Sequence, residues 1–229
     1  VVAVHRRAEN AALLAFYRHE PVTLTQVLPY LANLGAEVVD ERPFELRPAG
    51  GTTSWIYEFG LSFDEALTDE DLETIRDGFT AAWAGLRESD DLDRLLLQEL
   101  SWQRVSIIQA FAKYLRQAGF TYSDASIALA FTAHPRLTAQ ISEAFEIRFD
   151  PDRSFGSTAE RAEAAEAVLA EAEAGLSAVT SLESDRVLRA TIDTLRATQR
   201  TNAFIREDGA LPQALVFKIR AEELDFLPR

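Results

Sequence analysis

The sequence predicts an α+β chain in which a ferredoxin-like antiparallel sheet carries a large all-α helical insertion or an appended helical subdomain. Three observations predict it. Residues 13–88 run strand, helix, strand, strand, helix, which is the ferredoxin-like order short of its last strand. From about Asp90 to Pro212, apolar residues recur at helical spacing, with capping residues between the segments. ALVFKI at 214–219 is the one strand pattern after residue 61, and a lone strand has to pair somewhere, so it is expected to return to the first sheet. The expected organisation is a connector at 1–12, the βαββα part at 13–88, a helical subdomain at 89–212, and the returning strand with an exit linker at 213–229.

Val1 to Ala12 shows no clear period, which is why it reads as a connector. LLAFYR (13–18) has the aromatic enrichment of a buried strand. Thr23 and Gln26 form a capping box that opens a helix over Leu24 to Leu34, with Gly35 as its stop and Pro29 inside it. Phe44 and Leu46 oppose Glu45 and Arg47 in a strand over Glu37 to Arg47. Trp55, Tyr57, Phe59 and Leu61 share one face of the next, and Pro48, Gly50 and Gly51 turn between the two. Thr68 and Asp71 cap an amphipathic helix with Leu72, Ile75, Phe79, Ala82, Trp83 and Leu86 inward.

In the helical part, Leu92 to Leu100 comes first. The stretch from Leu100 to Ser123 then carries apolar residues around most of its circumference, with Ser106, Gln109, Lys113 and Arg116 on a narrow wet edge and Gly119 as its stop. Helices follow over Asp124 to Ala133 and over Pro135 to Phe149, where proline takes its favoured first-turn place. The Ala/Glu run from Ser157 to Ala174 has little bulk beyond Val168, Leu169 and Leu176. It reads as an exposed arm, or as one that packs on another domain or subunit. Ser181 caps a last helix with Val187, Leu188, Ile192 and Leu195 inward, ending before a turn at Asp208 and Gly209.

With 229 residues, 47% of them hydrophobic and 26% charged, the chain has the composition of a globular protein. Its net charge of -14 argues against nucleic acid and anionic membrane surfaces as partners. No run is long and apolar enough to span a bilayer, and no signal pattern opens the chain, so the expected location is cytoplasmic. The absence of cysteine removes disulfides and thiolate chemistry. The absence of methionine in a chain that starts at Val1 indicates a piece of something longer, or a sequence from which modified methionines are omitted.

No glycine-rich dinucleotide loop follows a strand, and His5, His19 and His134 lack the spacing of a metal ligand set. No catalytic, cofactor-binding or metal residue is assigned. The constellation that suggests binding is Arg186, Arg189, Arg196 and Arg200, one stripe of a helix interrupted by Asp193. It is either a solvated face balanced by nearby acids or a contact for an anion or an acidic surface.

Six stretches carry a resemblance to a known family: VLPYLANLGAEVVDERPFELRP (27–48), WIYEFGL (55–61), AFAKYLRQAGFTYS (110–123), HPRLTAQISEAFEIRFDP (134–151), LRATQRTNAF (195–204) and ALVFKI (214–219). Together they resemble the segment just upstream of the catalytic domain in the large bacterial NAD-specific glutamate dehydrogenases. The resemblance implies an ACT-type sheet and a non-catalytic regulatory or oligomerisation role. It implies no enzyme activity in the segment itself, with NAD as cofactor of the parent polypeptide. The implied partners are the chain's own catalytic domain and neighbouring subunits of a homo-oligomer, which the arginine stripe would face. ACT-type domains suggest an amino-acid effector at the loop after the first strand, here Arg18, His19 and Glu20, although that loop lacks the glycine that lets a ligand approach the backbone. The alternative reading is a stand-alone helical interaction scaffold.

Overall fold

A computed structural model describes residues 1–98, 100–206, 212 and 214–227. The chain divides into two compact units, Val1–Val105 and Ser106–Arg229.

The first unit is built on a four-stranded antiparallel sheet of β1 (Val2–Ala8), β2 (Ala11–Arg18), β3 (Glu37–Leu46) and β4 (Ser54–Ser62), in the order β1-β2-β4-β3. Helices α1 (Leu24–Asn33) and α2 (Asp69–Trp83) cover one face. Leu14 and Phe16 of β2 and Tyr57, Phe59 and Leu61 of β4 point toward them and are buried, as period-two alternation requires. The centre is aromatic: Phe16 meets Phe79 and Trp83 edge-on at 5.6 and 4.8 Å, and Tyr30 of α1 meets the same two rings. Both capping boxes form. Gln26 accepts from the Thr23 amide at 2.9 Å, and Thr68 and Asp71 satisfy each other's amides at 3.1 and 2.7 Å. Pro29 stays within α1 on its exposed side, where water can reach the carbonyl it leaves without a donor.

The α+β, ferredoxin-like architecture stands, but the strand that completes it is not the expected one. Residues 2–8, read as part of a connector, form β1 and take the edge beside β2 that the strand at 214–219 was expected to fill. Val2 and Val4 are the only apolar residues β1 turns to the helix side, where Arg6 follows and reaches Leu67 and Asp69. A bulge between Arg6 and Ala8 then ends the alternation, so the period was too short to read. The helical part is consequently appended after the sheet rather than inserted into it.

After α2, a 3-10 turn over Asp91–Leu97 replaces the expected helix at 92–100. Gly78 permits its close approach, since a Cβ there would lie 2.5 Å from Cδ1 of Leu96. Arg87 and Asp93 form a buried ion pair beneath it, with side chains 2% and 1% exposed.

The division between the units falls within α3 (Trp102–Gln117), which Gly119 ends at φ +93 as expected. Gln109, assigned to the wet edge, is buried. The second unit continues with α4 (Asp124–Thr132), α5 (Pro135–Phe149), α6 (Thr158–Gly175) and α7 (Leu182–Ala197). It also holds a two-stranded ribbon of β5 (Thr198–Thr201) and β6 (Phe217–Ile219). Here lies the partner of the late strand: β6 pairs antiparallel with β5, and Phe217 packs on Phe111 and Phe145 at 5.4 and 5.9 Å. TQRT has no apolar alternation, which hid β5 in the sequence. The turn expected at Asp208 and Gly209 lies outside the described residues. Nor is α6 a free arm. It buries Ala165, Leu169 and Ala172, and Gly175 lets it close on α5, where a Cβ would stand 2.6 Å from Cδ2 of Leu137. Its small residues act through close approach rather than through bulk.

Candidate functional site

Helix α7 frames the arginine stripe. Ser181 caps it by accepting from the Ser184 amide at 3.2 Å, and Val187, Leu188, Ile192 and Leu195 are buried along its inner side. Three buried hydroxyls share that side. Thr191, Thr194 and Thr198 each donate to the carbonyl four residues back, at 2.8, 2.7 and 2.7 Å, so none requires a partner from another element.

The outer side divides the four arginines. Arg196 reaches two carboxylates of α6, Glu166 at 2.6 Å and Glu173 at 2.9 Å, with Asp193 at 3.9 Å. The Glu166 hydrogen bond is the main reason its guanidinium is held above its ordinary pKa. Arg189 pairs with Asp185 at 2.8 Å and lies 3.8 Å from Glu173, and its pKa is raised chiefly by Asp185. Arg186 donates to the Tyr122 hydroxyl at 3.4 Å. Arg200 stands apart on β5, exposed and directly opposite Lys218 of β6. Among the described residues no carboxylate pairs with either cation. Two of the four, Arg196 and Arg189, thus reach carboxylates of α6, Arg186 turns to Tyr122, and Arg200 stands exposed beside Lys218.

Sequence reasoning missed the groups that complete this arrangement. Glu166 and Glu173 are seven apart and so share one stripe of α6, a signal that was present. Arg148 carried no signal. From α5 it donates to the carbonyls of Leu195 and Arg196, both at 3.0 Å, and so places a cation on the last turn of α7. Desolvation lowers its pKa against the opposing fields of Glu166 and Glu223. Burial raises the pKa of Asp193, Glu173 and Asp225 add to the rise, and Arg196 and Arg189 oppose it.

The loop after β2 forms a second candidate site. A cavity of about 470 Å³ is lined by Arg18, His19 and Glu20 together with Tyr17, Leu46, Ser54 and Ile56. Arg18 sits over the rings of Trp83 and Phe16 at 5.6 and 5.8 Å and lies 3.7 Å from Glu20. His19 Nδ1 is 3.1 Å from the Ser54 hydroxyl, and the Val22 amide donates to the Tyr57 hydroxyl at 3.0 Å. Glu20 is exposed. No group of three or more His, Asp or Glu residues among those described could hold a metal ion, and no helix there is long and apolar enough to cross a membrane.

Fold and sites together define an ACT-type α+β module followed by a helical region that leads into an arginine-latched helix and a short β-ribbon. Comparison with known proteins is specific. Residues 3–75 match the family described as glutamate dehydrogenase, ACT3 domain, and residues 87–151 match glutamate dehydrogenase, helical motif 3. Residues 171–229 match the bacterial NAD-glutamate dehydrogenase catalytic domain. The chain is 35% identical over 232 residues to the NAD-specific glutamate dehydrogenase of Mycobacterium tuberculosis, aligning 95% of its own length with 14% of that protein's. It is 32% identical over 233 residues to that of Halomonas elongata (99% of this chain, 14% of the relative). The enzyme of Pseudomonas aeruginosa is 34% identical over 221 residues (93% and 14%). The chain therefore spans about one seventh of the length of these relatives.

The catalytic-domain match corrects three expectations. The chain is not purely a segment upstream of the catalytic domain, since residues 171–229 carry part of that domain's own signature. For the same reason neither the expectation of a wholly non-catalytic regulatory or oligomerisation segment nor that of a segment without enzyme activity is supported. The error had a physical source: among the described residues α7 and the ribbon show no metal-ligand set, and their sequence carries no glycine-rich nucleotide loop, so no chemistry marked them as part of a catalytic domain.

Proposed function

We propose that this chain is the stretch of an NAD-specific glutamate dehydrogenase in which the ACT-type module and helical region lead into the catalytic domain. The reaction of the whole polypeptide would be L-glutamate + NAD⁺ + H₂O → 2-oxoglutarate + NH₄⁺ + NADH + H⁺, in the cytoplasm. The single observation that carries the reading is the succession of three glutamate dehydrogenase families along one chain in one order, the last of them catalytic.

In this reading α7, held by Arg196 on α6 and by Arg148 at its last turn, and the β5–β6 ribbon seated on Phe111 and Phe145, begin the catalytic domain's framework. Arg200 and Lys218 face the remainder of that domain or a neighbouring subunit, where an acidic surface relieves the repulsion between two cations set directly opposite. The cavity at Arg18, His19 and Glu20 is the place for an amino-acid effector: a cation and an imidazole for its carboxylate, a carboxylate for its ammonium group, and Leu46 and Ile56 for its side chain. The test is absorbance of NADH produced by the purified polypeptide that carries this chain. Glutamate-dependent reduction of NAD is the expected result, and its absence sinks the proposal.

A further inference from the structure

Helix α7 passes straight into β5 with no glycine between them, and Thr198 is already extended at φ -71 and ψ 125. A helix that stops without a left-handed residue needs other donors for its last carbonyls. Here each of the last four has one. The Thr194 carbonyl accepts from the Thr198 hydroxyl at 2.7 Å, the Leu195 carbonyl from the Thr198 amide, and the Ala197 carbonyl from the Arg220 amide at 3.0 Å. For the Arg196 carbonyl the donor is Arg148 of α5, whose Nη1 also makes a second bond to the Leu195 carbonyl.

The surroundings of Arg148 aim it at this turn. It is half-buried, and the two acids whose fields reach it are engaged elsewhere: Glu166 with Arg196 and Glu223 with Arg220, each at 2.6 Å. Its charge therefore rests on two carbonyls and the negative end of α7. The turn of α5 that bears it is fixed in the same way, since Arg161 of α6 donates to the carbonyls of Ile147 and Asp150 at 3.1 and 2.6 Å. Two arginines in series thus tie the end of α5 to α6 and the end of α7 to α5.

We propose that Arg148 is a positioning residue for NAD reduction: from the helical motif it fixes where α7 stops and β5 begins, and through that turn it aligns the catalytic part of the polypeptide. The inference rests on the reading above and adds a route of regulation to it. Residues 87–151 match the helical motif and residues 171–229 the catalytic domain, so the bonds from Arg148 join one to the other. A displacement of α5 that withdraws the guanidinium removes the donor of the Arg196 carbonyl and loosens the last turn of α7. A misplacement of ~1 Å remote from the reacting atoms can slow a reaction by about a hundredfold.

The test is Arg148→Ala in the polypeptide that carries this chain, with kcat and KM measured separately and amide hydrogen exchange read over residues 194–201. The kcat of glutamate-dependent NAD reduction should fall about ten- to a hundredfold, with KM for glutamate and for NAD little changed. Exchange should quicken about tenfold or more at 194–201 and keep its wild-type rates in α4 and α6. Free guanidinium at about 20 mM, far below denaturing strength, should take the vacated place and restore both readings, while sodium chloride at the same concentration should not. Should Arg148→Ala fail to fold, Arg148→Met keeps bulk over the Phe149 ring, removes the donors, and should show the same two changes. Wild-type exchange at 194–201 overturns the inference, as does a loss of protection that spreads through α4 and α6 and that guanidinium leaves unrepaired. An active wild type with an unimpaired kcat in the variant fails this inference alone; a wild-type polypeptide that does not reduce NAD fails the reading above and takes this inference with it.

Discussion

Asp93→Ala should be among the most damaging single substitutions in the first unit. Asp93 is 1% exposed and its partner Arg87 2%. The Arg87 guanidinium also donates to the Gly78 carbonyl at 3.3 and 3.2 Å and to the Glu88 carbonyl at 2.9 Å. The second oxygen of Asp93 accepts from Ser89 at 2.6 Å, and Ser89 in turn accepts from Asn33 of α1 at 3.0 Å. Removing the carboxylate leaves a buried cation with neutral acceptors only and unties the link to α1. Breaking such a pair costs about 3–5 kcal/mol. For a unit of this size, at ~4–8 °C per kcal/mol, the midpoint should fall by at least about 12 °C. Thermal melting followed by near-UV circular dichroism, which reports the Phe16, Phe79 and Trp83 cluster, measures it. The double variant Arg87→Met, Asp93→Leu should recover most of the loss, because an apolar pair leaves no buried charge behind. A shift of only a few degrees for Asp93→Ala, or a double variant worse than the single, would refute the reasoning.

Other substitutions test other parts of the framework. Gly78→Ala drives a methyl into Leu96 and should cost about 1–3 kcal/mol in the same melt. Arg196→Ala severs α7 from Glu166 and Glu173. Because these carboxylates are half exposed, the loss should be only about 1 kcal/mol, smaller still in high salt, and chemical denaturation at two salt concentrations would show it. The raised pKa of Asp193 means that the folded chain keeps this proton to higher pH than the unfolded one does, so ionisation there costs stability as pH rises above the ordinary value of 3.8. Asp193→Asn should therefore raise the melting midpoint near pH 7 and make little difference at about pH 3, where the carboxyl is neutral in both states.

The parts of the fold written in local chemistry were legible. Thr23 with Gln26, Thr68 with Asp71, and Gly119 marked helix ends that the structure reproduces. What escaped were strands without a readable apolar period. β1 is an exposed edge whose strand character comes from pairing with β2, and β5 reads TQRT because it needs only its backbone to hold β6. A different limit applied at the arginine stripe. Spacing placed four cations in line, but the carboxylates of α6 that occupy Arg196, and the change from α7 to β5 that separates Arg200, depend on tertiary packing. Tyr57, which holds the loop at Val22, read only as one of four apolar residues along a strand face.

If residues 171–229 are continuous with the catalytic domain, as proposed, the direct measurement is glutamate-dependent NAD reduction by the longer polypeptide carrying Phe217→Asp. This substitution unseats β6 from Phe111 and Phe145 and leaves the N-terminal sheet untouched. Activity should be lost while the melting transition of the N-terminal unit is retained. Full activity in a polypeptide whose ribbon has been unseated would contradict it.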